Sequence, residues 1–333
     1  MIIERKEYLN KLITWKDKQL IKIVTGVRRC GKSVLLKMYQ DYLKNNGVKE
    51  SQIVTINFED LDYEELANYK KLYNYLKEKL IPNKMTYIFL DESQNVDQFP
   101  KVLDSLYIKD NVDIYVTGSN AYMLSSEIAT MISRRYIQIE MLPLSFKEYM
   151  ESTGNMNDRG IKYTEYLQNS SFPYALQLKN QLDEIRDYLE GIYNTIVVKD
   201  IVHRKNITDT MTSLGRKINS RTVKKYLKSL EKYYIVDIGM RYILLGSKMM
   251  DTGHILENVV YLELLRRGYD VYVGKIDNYE VDFVAQNHKG TIYYQVALTV
   301  RDEKTLQREL RPLQAIRDHY PKVILTMDED PKI

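Results

Sequence analysis

One segment limits the fold more than any other. Leu20–Thr25, "LIKIVT", is a short apolar run that leads into Gly26-Val27-Arg28-Arg29-Cys30-Gly31-Lys32-Ser33 and then into "VLLKMYQDYL". A strand, a glycine-bounded loop and a helix in this order fit G-x-x-x-x-G-K-[ST] in the context that the motif requires. The strand of such a unit is expected inside a parallel sheet, with the helix crossing over one face. Further short apolar runs follow: Ile53–Phe58, Tyr87–Leu90, Asp113–Thr117 and Tyr136–Glu140. Helix-like stretches, Ser33–Asn45, Leu66–Leu80 and Phe99–Tyr107, lie between them. The alternation predicts an α/β domain with crossover helices.

The residue types of the loop define its chemistry. Glycines let backbone N–H groups approach phosphate oxygens, and a helix N-terminus adds partial positive charge. Lys32 is expected to bridge the β- and γ-phosphates of ATP, and the Ser33 hydroxyl to coordinate Mg2+. The nucleotide-facing positions are Gly26, Arg28, Arg29, Cys30, Gly31, Lys32, Ser33 and Val34. Cys30 has two readings: a thiol activated by the positive field of the loop, or a tolerated variable position, which is the reading preferred.

"TYIFLDE" supplies an acidic pair at a strand end. Asp91 is expected to hold the metal through water, and Glu92 to polarise an attacking water. The pair favours hydrolysis over transfer to a bound acceptor. "DIYVT" ends at Gly118-Ser119-Asn120, where Ser119 or Asn120 is placed to contact the γ-phosphate or the attacking water. A turn residue capping the next helix fits the same position. Arg134 and Arg135 precede the fifth strand. There an arginine either reaches a neighbouring subunit's γ-phosphate or is solvated at a helix end.

Composition adds exclusions. The chain of 333 residues is 44% hydrophobic and 28% charged, enough core material for two or three domains. The single cysteine excludes an intramolecular disulfide framework and fits a reducing compartment. The first residues are charged, and no run approaches the ~18 apolar residues of a membrane span. The expectation is a soluble, cytoplasmic protein with no membrane partner. Net charge is +4, but Lys199–Lys232 holds ten Lys or Arg against three Asp or Glu, a local +7 that leaves −3 for the rest. Such a segment is a phosphate-facing surface for DNA or RNA, or a solvated lysine face.

Taken together, "GVRRCGKSVLL", "FLDESQNV", "VTGSNAYML", "IEMLPLSFKEY", "FPYALQL", "YLEGIYNTIVVKDI" and "HILENVVYLELLRRGYDVYVGK" resemble the AAA+-type P-loop ATPases of bacteria and archaea that carry a C-terminal domain related to restriction-endonuclease-like folds. The resemblance covers nearly the whole chain. It implies ATP and Mg2+ as ligands, Asn120 as sensor and Arg135 as the arginine finger. It divides the chain into an ATPase domain at 1–143, a helical, winged-helix-like region at 144–232 and an endonuclease-like domain at 233–333.

"SRTVKKYLKSL" resembles a recognition helix, with Arg221, Lys224, Lys225 and Lys228 facing nucleic acid. The family's usual extra helices and wing are missing, which points to absent segments near Asp209–Thr210, Leu230–Glu231 and Asp328–Asp330. In the last domain "YYIVDI" and four later runs read as strands around the helix Ile255–Arg267. Endonuclease-like cores need an acidic cluster and usually a lysine. Here Glu257 and Asp282 remain, Gln295 replaces a carboxylate and Ala297 replaces the lysine. That set reads as a vestigial site retained for binding or packing. The expected function is ATP hydrolysis coupled to movement of the C-terminal domains. The alternatives are a slow ATP-gated switch or binding module that recruits a protein partner, and an ATP-controlled nuclease; a homo-oligomer or a protein partner is expected beside ATP.

Overall fold

The computed structural model describes residues 3–118, 132, 135–154, 158–178, 181–195, 237–240, 252–276 and 278–329. The chain divides into two compact units, Met1–Lys162 with Phe172–Gln181, and Tyr163–Ser171 with Leu182–Ile333.

The first unit is built on five strands: β1 (Ile21–Gly26), β2 (Ile53–Asn57), β3 (Thr86–Asp91), β4 (Val112–Gly118) and β5 (Tyr136–Met141). Their order is β2-β3-β4-β1-β5, and every neighbouring pair is parallel. Every residue of β1 and β3 is buried, as continuous apolar runs require when helices cover both faces of a parallel sheet. Side chains alternate between the faces. Ile21, Ile23, Ile88, Leu90 and Val116 pack with Leu72 and Leu76 of α3 (Tyr69–Lys79) and with Phe99 and Leu103 of α4 (Phe99–Tyr107). Val24, Phe89, Tyr115 and Ile139 pack on the other side with Tyr8 and Leu12 of α1 (Lys6–Thr14) and with Leu35, Tyr39 and Leu43 of α2 (Lys32–Asn45). A further helix, α5 (Phe146–Thr153), belongs to the same unit.

The expected strands and helices of this unit are present. α3 begins at Tyr69 rather than Leu66 because the Asn68 side chain accepts from Lys70 N and Lys71 N and starts the helix there. Leu61–Ala67 before it forms a 3-10 helix.

An ionic network crosses one face of the sheet. Lys22, fully buried, donates to Asp113 Oδ1, and Asp113 Oδ2 accepts from Asp17 N at 2.9 Å and from the Tyr115 hydroxyl at 2.8 Å. The Tyr39 and Tyr115 hydroxyls lie 2.9 Å apart. Burial lowers the Lys22 pKa and raises that of Asp113 against their mutual attraction. Desolvation therefore opposes the ion pair, and the surrounding hydrogen bonds offset it.

The second unit has four strands, β6 (Asp270–Ile276), β7 (Tyr279–Asn287), β8 (Gly290–Ala297) and β9 (Lys322–Thr326), in that spatial order. β6, β7 and β8 pair antiparallel and β8 pairs with β9 in parallel. Helices α6 (Leu182–Thr195), α7 (Thr252–Arg266) and α8 (Glu303–Ala315) accompany them. α8 has no counterpart among the expected elements. Its internal Pro312 and charged composition hide the helical period, while Asp302 caps it by accepting from Thr305 N.

"YYIVDI" requires a correction. Its first four residues lie outside the described set, but Ile238 to Met240 form a helical turn instead of a strand. Buried Asp237 dictates this, accepting from Met240 N at 2.7 Å and from both Ser171 N and Ser171 Oγ at 2.6 Å. A side chain that caps the following backbone favours a turn over a ladder.

Candidate nucleotide site

The strand order places β4 between β1 and β3. At the C-terminal edge of the sheet the β4 terminus thus separates the glycine loop from the acidic pair. The loop leaves β1 at Gly26, where φ is +150° and an added Cβ would lie 2.2 Å from Met141 O. No side chain fits there. The loop ends at Gly31, φ +101°, which opens α2. Between them Arg29 holds a left-handed backbone at φ +64°, a strained conformation of the kind that collects at functional sites.

Lys32 is 5% exposed. Its Nζ donates to Gly26 O at 3.1 Å and to Val27 O at 3.3 Å, with Glu92 Oε1 at 3.9 Å. Its ammonium therefore lies inside the loop, facing the acidic pair. Ser33 and Val34 are exposed on the first turn of α2. Arg28 Nη2 donates to Glu59 Oε1 at 2.8 Å on the surface.

Cys30 differs from the reading of a reactive thiol. It is completely buried in the core between α2 and the sheet, and burial pushes its thiol pKa up despite Lys32 and Arg5 nearby. Burial and the raised pKa oppose the reading of an activated thiolate.

The acidic pair is held by a residue that the sequence reading missed. Thr117, the penultimate residue of β4, donates from Oγ1 to Asp91 Oδ1 and accepts from Glu92 N at 2.9 Å. Ser93 Oγ donates to Thr117 O at 2.9 Å. Ser119 and Asn120, the polar residues expected at this strand end, lie outside the described residues. Glu92 occupies the left-handed region, φ +54° and ψ +46°, and its Oε2 accepts from Gln94 Nε2. Pro173 approaches the loop: its Cγ would lie 3.9 Å from a Cβ at Gly31.

Arg135 lies away from this cluster. Its backbone O accepts from Ile21 N at 2.8 Å, at the opposite end of β1 from the loop. Six strand residues at about 3.3 Å each separate the two ends. Its side chain pairs with Asp104 at 2.9 Å and stacks over Tyr107. Arg135 therefore cannot serve the nucleotide of its own loop. Arg221, Lys224, Lys225 and Lys228 lie outside the described residues.

In the second unit Glu257, Asp282 and Gln295 line one pocket of 640 Å³. α8 adds Arg308, Glu309 and Arg311 to its wall, and Ala297 is there too. Burial pushes the Asp282 pKa up to about 6, with Glu257, Glu309 and Glu280 adding to the rise, while Val296 N donates to Asp282 Oδ2 at 2.7 Å and opposes it. Gln295 Oε1 is buried with no hydrogen-bond partner among the described residues. No three acidic, histidine or cysteine residues among those described are arranged to hold a metal.

Residues 18–150 match a family profile described as AAA domain, a span that contains β1 to β5, the glycine loop and the acidic pair. Fold and match together define an AAA-type domain with a P-loop. The chain is 34% identical to an uncharacterized protein of Haemophilus influenzae over 380 aligned residues, covering 98% of this chain and 93% of that protein, and it belongs to the same family. The alignment is 47 positions longer than the 333 residues of this chain, so at least that many positions have no counterpart here. An uncharacterized protein of Methanocaldococcus jannaschii is 28% identical over 362 residues, 90% of this chain and 79% of that one. Among solved structures, the Walker-type ATPase paby2304 of Pyrococcus abyssi is similar with a TM-score of 0.45 at 15% identity, covering 73% of this chain and 96% of that chain. No helix among the described residues is long and apolar enough to cross a membrane.

Proposed function

We propose that the chain binds ATP with Mg2+ in the glycine loop and hydrolyses it, and that the 144–232 and 233–333 regions respond to the state of the nucleotide. The observation that carries this reading is that Lys32 approaches Glu92, while Thr117 holds both Asp91 and Glu92, at one sheet edge. The loop backbone and Lys32 bind the phosphates. Ser33 and Asp91 offer the hydroxyl and carboxylate oxygens that suit Mg2+, an ion that takes few protein ligands and keeps several waters. When bound, Mg2+ neutralises charge on the β- and γ-phosphates. Glu92 accepts the proton of a water whose oxygen attacks the γ-phosphorus, and the bond to the β-γ bridging oxygen breaks to release ADP. In this scheme Asn120 senses the γ-phosphate, and Arg135, remote from its own loop, acts on a neighbouring copy.

One observation favours the second reading, a slow ATP-gated switch. Lys32 is engaged with loop carbonyls and Glu92 with Gln94, so both must change partners before turnover. Arg221, Lys224, Lys225 and Lys228 are proposed to meet nucleic-acid backbone. We take the 640 Å³ pocket as a binding site without cleavage, since Ala297 stands where endonuclease-like cores usually carry a lysine.

Steady-state phosphate release, alone and with duplex DNA, single-stranded DNA or RNA, tests the function. Turnover that is abolished by Lys32→Ala supports hydrolysis at this loop. ATP binding without turnover supports the switch, and no ATP binding rejects both. Stimulation by a nucleic acid that falls steeply with salt supports backbone contact.

A further inference from the structure

Neither the loop motif nor the acidic pair accounts for Arg5, which is 3% exposed. Its Nη1 donates to Cys30 O at 3.1 Å, its Nη2 to Leu142 O at 2.7 Å, and its Nε to Glu148 Oε1 at 2.7 Å. Nη2 also approaches Pro143 O at 3.4 Å. The guanidinium stands over the Tyr8 ring, 4.8 Å from its centroid, and the Tyr8 hydroxyl accepts from Leu142 N at 3.1 Å. Glu148 is fixed in turn. Its Oε2 accepts from Ser145 N at 2.8 Å and closes a capping box at the start of α5. One planar cation therefore joins the glycine loop, the end of β5 and the first turn of α5, using the fork geometry that only arginine provides.

The contact with Cys30 O constrains the loop directly. A trans peptide unit is planar, so its C=O and N–H point in opposite directions. Holding Cys30 O toward Arg5 fixes the Gly31 N–H to face the other way. A phosphate loop works by the direction of such N–H groups. Gly31, at φ +101° and with no Cβ, offers little resistance of its own to rotation of that peptide.

We propose that Arg5 is a positioning residue for the glycine loop, acting through the Cys30 carbonyl. The proposal rests on the nucleotide reading above for its consequence and on geometry alone for the contact. Cys30 is the only cysteine of the chain and is fully buried, so it reports on the loop position that Arg5 holds.

The test compares wild type, Arg5→Lys, Arg5→Gln and Glu148→Gln by three measurements: circular dichroism, the rate of Cys30 alkylation by N-ethylmaleimide, and affinity for a fluorescent ADP analogue. In folded Arg5 variants Cys30 should alkylate about tenfold faster or more, and the analogue should bind about tenfold more weakly, the effect expected from losing one charge-assisted hydrogen bond. Lys keeps the charge but not the fork, so Arg5→Lys should fall between wild type and Arg5→Gln. Glu148→Gln keeps the carbonyl contacts and should lower thermal stability while leaving Cys30 protected.

Folded Arg5 variants with unchanged alkylation and unchanged affinity would overturn the proposal. Failure of both Arg5 variants to fold would also reject it, in favour of a scaffold role. Alkylation needs no nucleotide, so if wild type binds no analogue the nucleotide reading fails by itself and the Cys30 measurement still decides the Arg5 contact.

Discussion

Replacing Thr117 with valine removes one hydroxyl and almost no volume. That hydroxyl donates to Asp91 Oδ1 and accepts from Glu92 N, so the change leaves a carboxylate without a donor and a backbone N–H without an acceptor. A hydrogen bond to a charged group contributes about 1.5–3 kcal/mol, and a neutral one about 0.5–1.5. Valine itself fits the strand, so the cost falls on the two acidic residues. Both act in the chemical step on the account above, whereas the loop and Lys32 bind the phosphates. If about 1.4–2.7 kcal/mol of that positioning is lost from the transition state, kcat falls by about 10–100-fold, with a smaller change in nucleotide affinity. Phosphate release at saturating ATP, set beside ADP-analogue binding and a thermal melt, separates the effects. A folded Thr117→Val with wild-type kcat would refute the idea that Thr117 sets the acidic pair.

Two further outcomes concern the cores of the units. Lys22→Met strips Asp113 of its buried partner and should destabilise the first unit by about 3–5 kcal/mol, read by urea unfolding; adding Asp113→Leu should recover much of the loss, and a single-variant cost below about 1 kcal/mol, the level of an exposed pair, would contradict the buried ion-pair account. Asp282, held at about 6 in the folded chain and near 3.9 when unfolded, binds its proton more tightly in the folded state, so its contribution to stability is full below about pH 4 and is lost as pH rises through 6. Asp282→Asn should therefore raise Tm relative to wild type at pH 8 and by much less at pH 4, and a difference that does not change with pH would show that Asp282 does not titrate in this range.

The nucleotide end of the molecule was legible because each part has a local signature. The loop announces itself by Gly26, Gly31 and Lys32 between a strand and a helix, and the acidic pair by four apolar residues before Asp91. Thr117 and Arg5 were not legible for opposite reasons. Thr117 sits inside a strand end where a threonine is also an ordinary β residue, and its role depends on the β3-β4-β1 order, which no local pattern encodes. Arg5 meets Leu142 and Glu148 only after the chain has crossed the whole sheet. The burial of Cys30 was not legible because loops usually lie at the surface, whereas tertiary packing places it beneath α2. In the second unit, α8 was hidden by Pro312, and with it Arg308 and Glu309 of the pocket wall. Glu257, Asp282 and Gln295 followed from the resemblance to endonuclease-like cores, and the strands that bear Asp282 and Gln295 bring them into one pocket with Glu257 on α7.

Hydrolysis as proposed depends on Glu92 taking the proton from water. Phosphate release by wild type and by Glu92→Gln, with ATP and Mg2+ saturating and nucleotide binding measured on the same samples, tests it most directly. Glutamine keeps the size and the Gln94 side of the site but cannot accept the proton, so the account predicts a variant that still binds ATP and turns over about 10²-fold more slowly or worse. Equal turnover in the two proteins would contradict it.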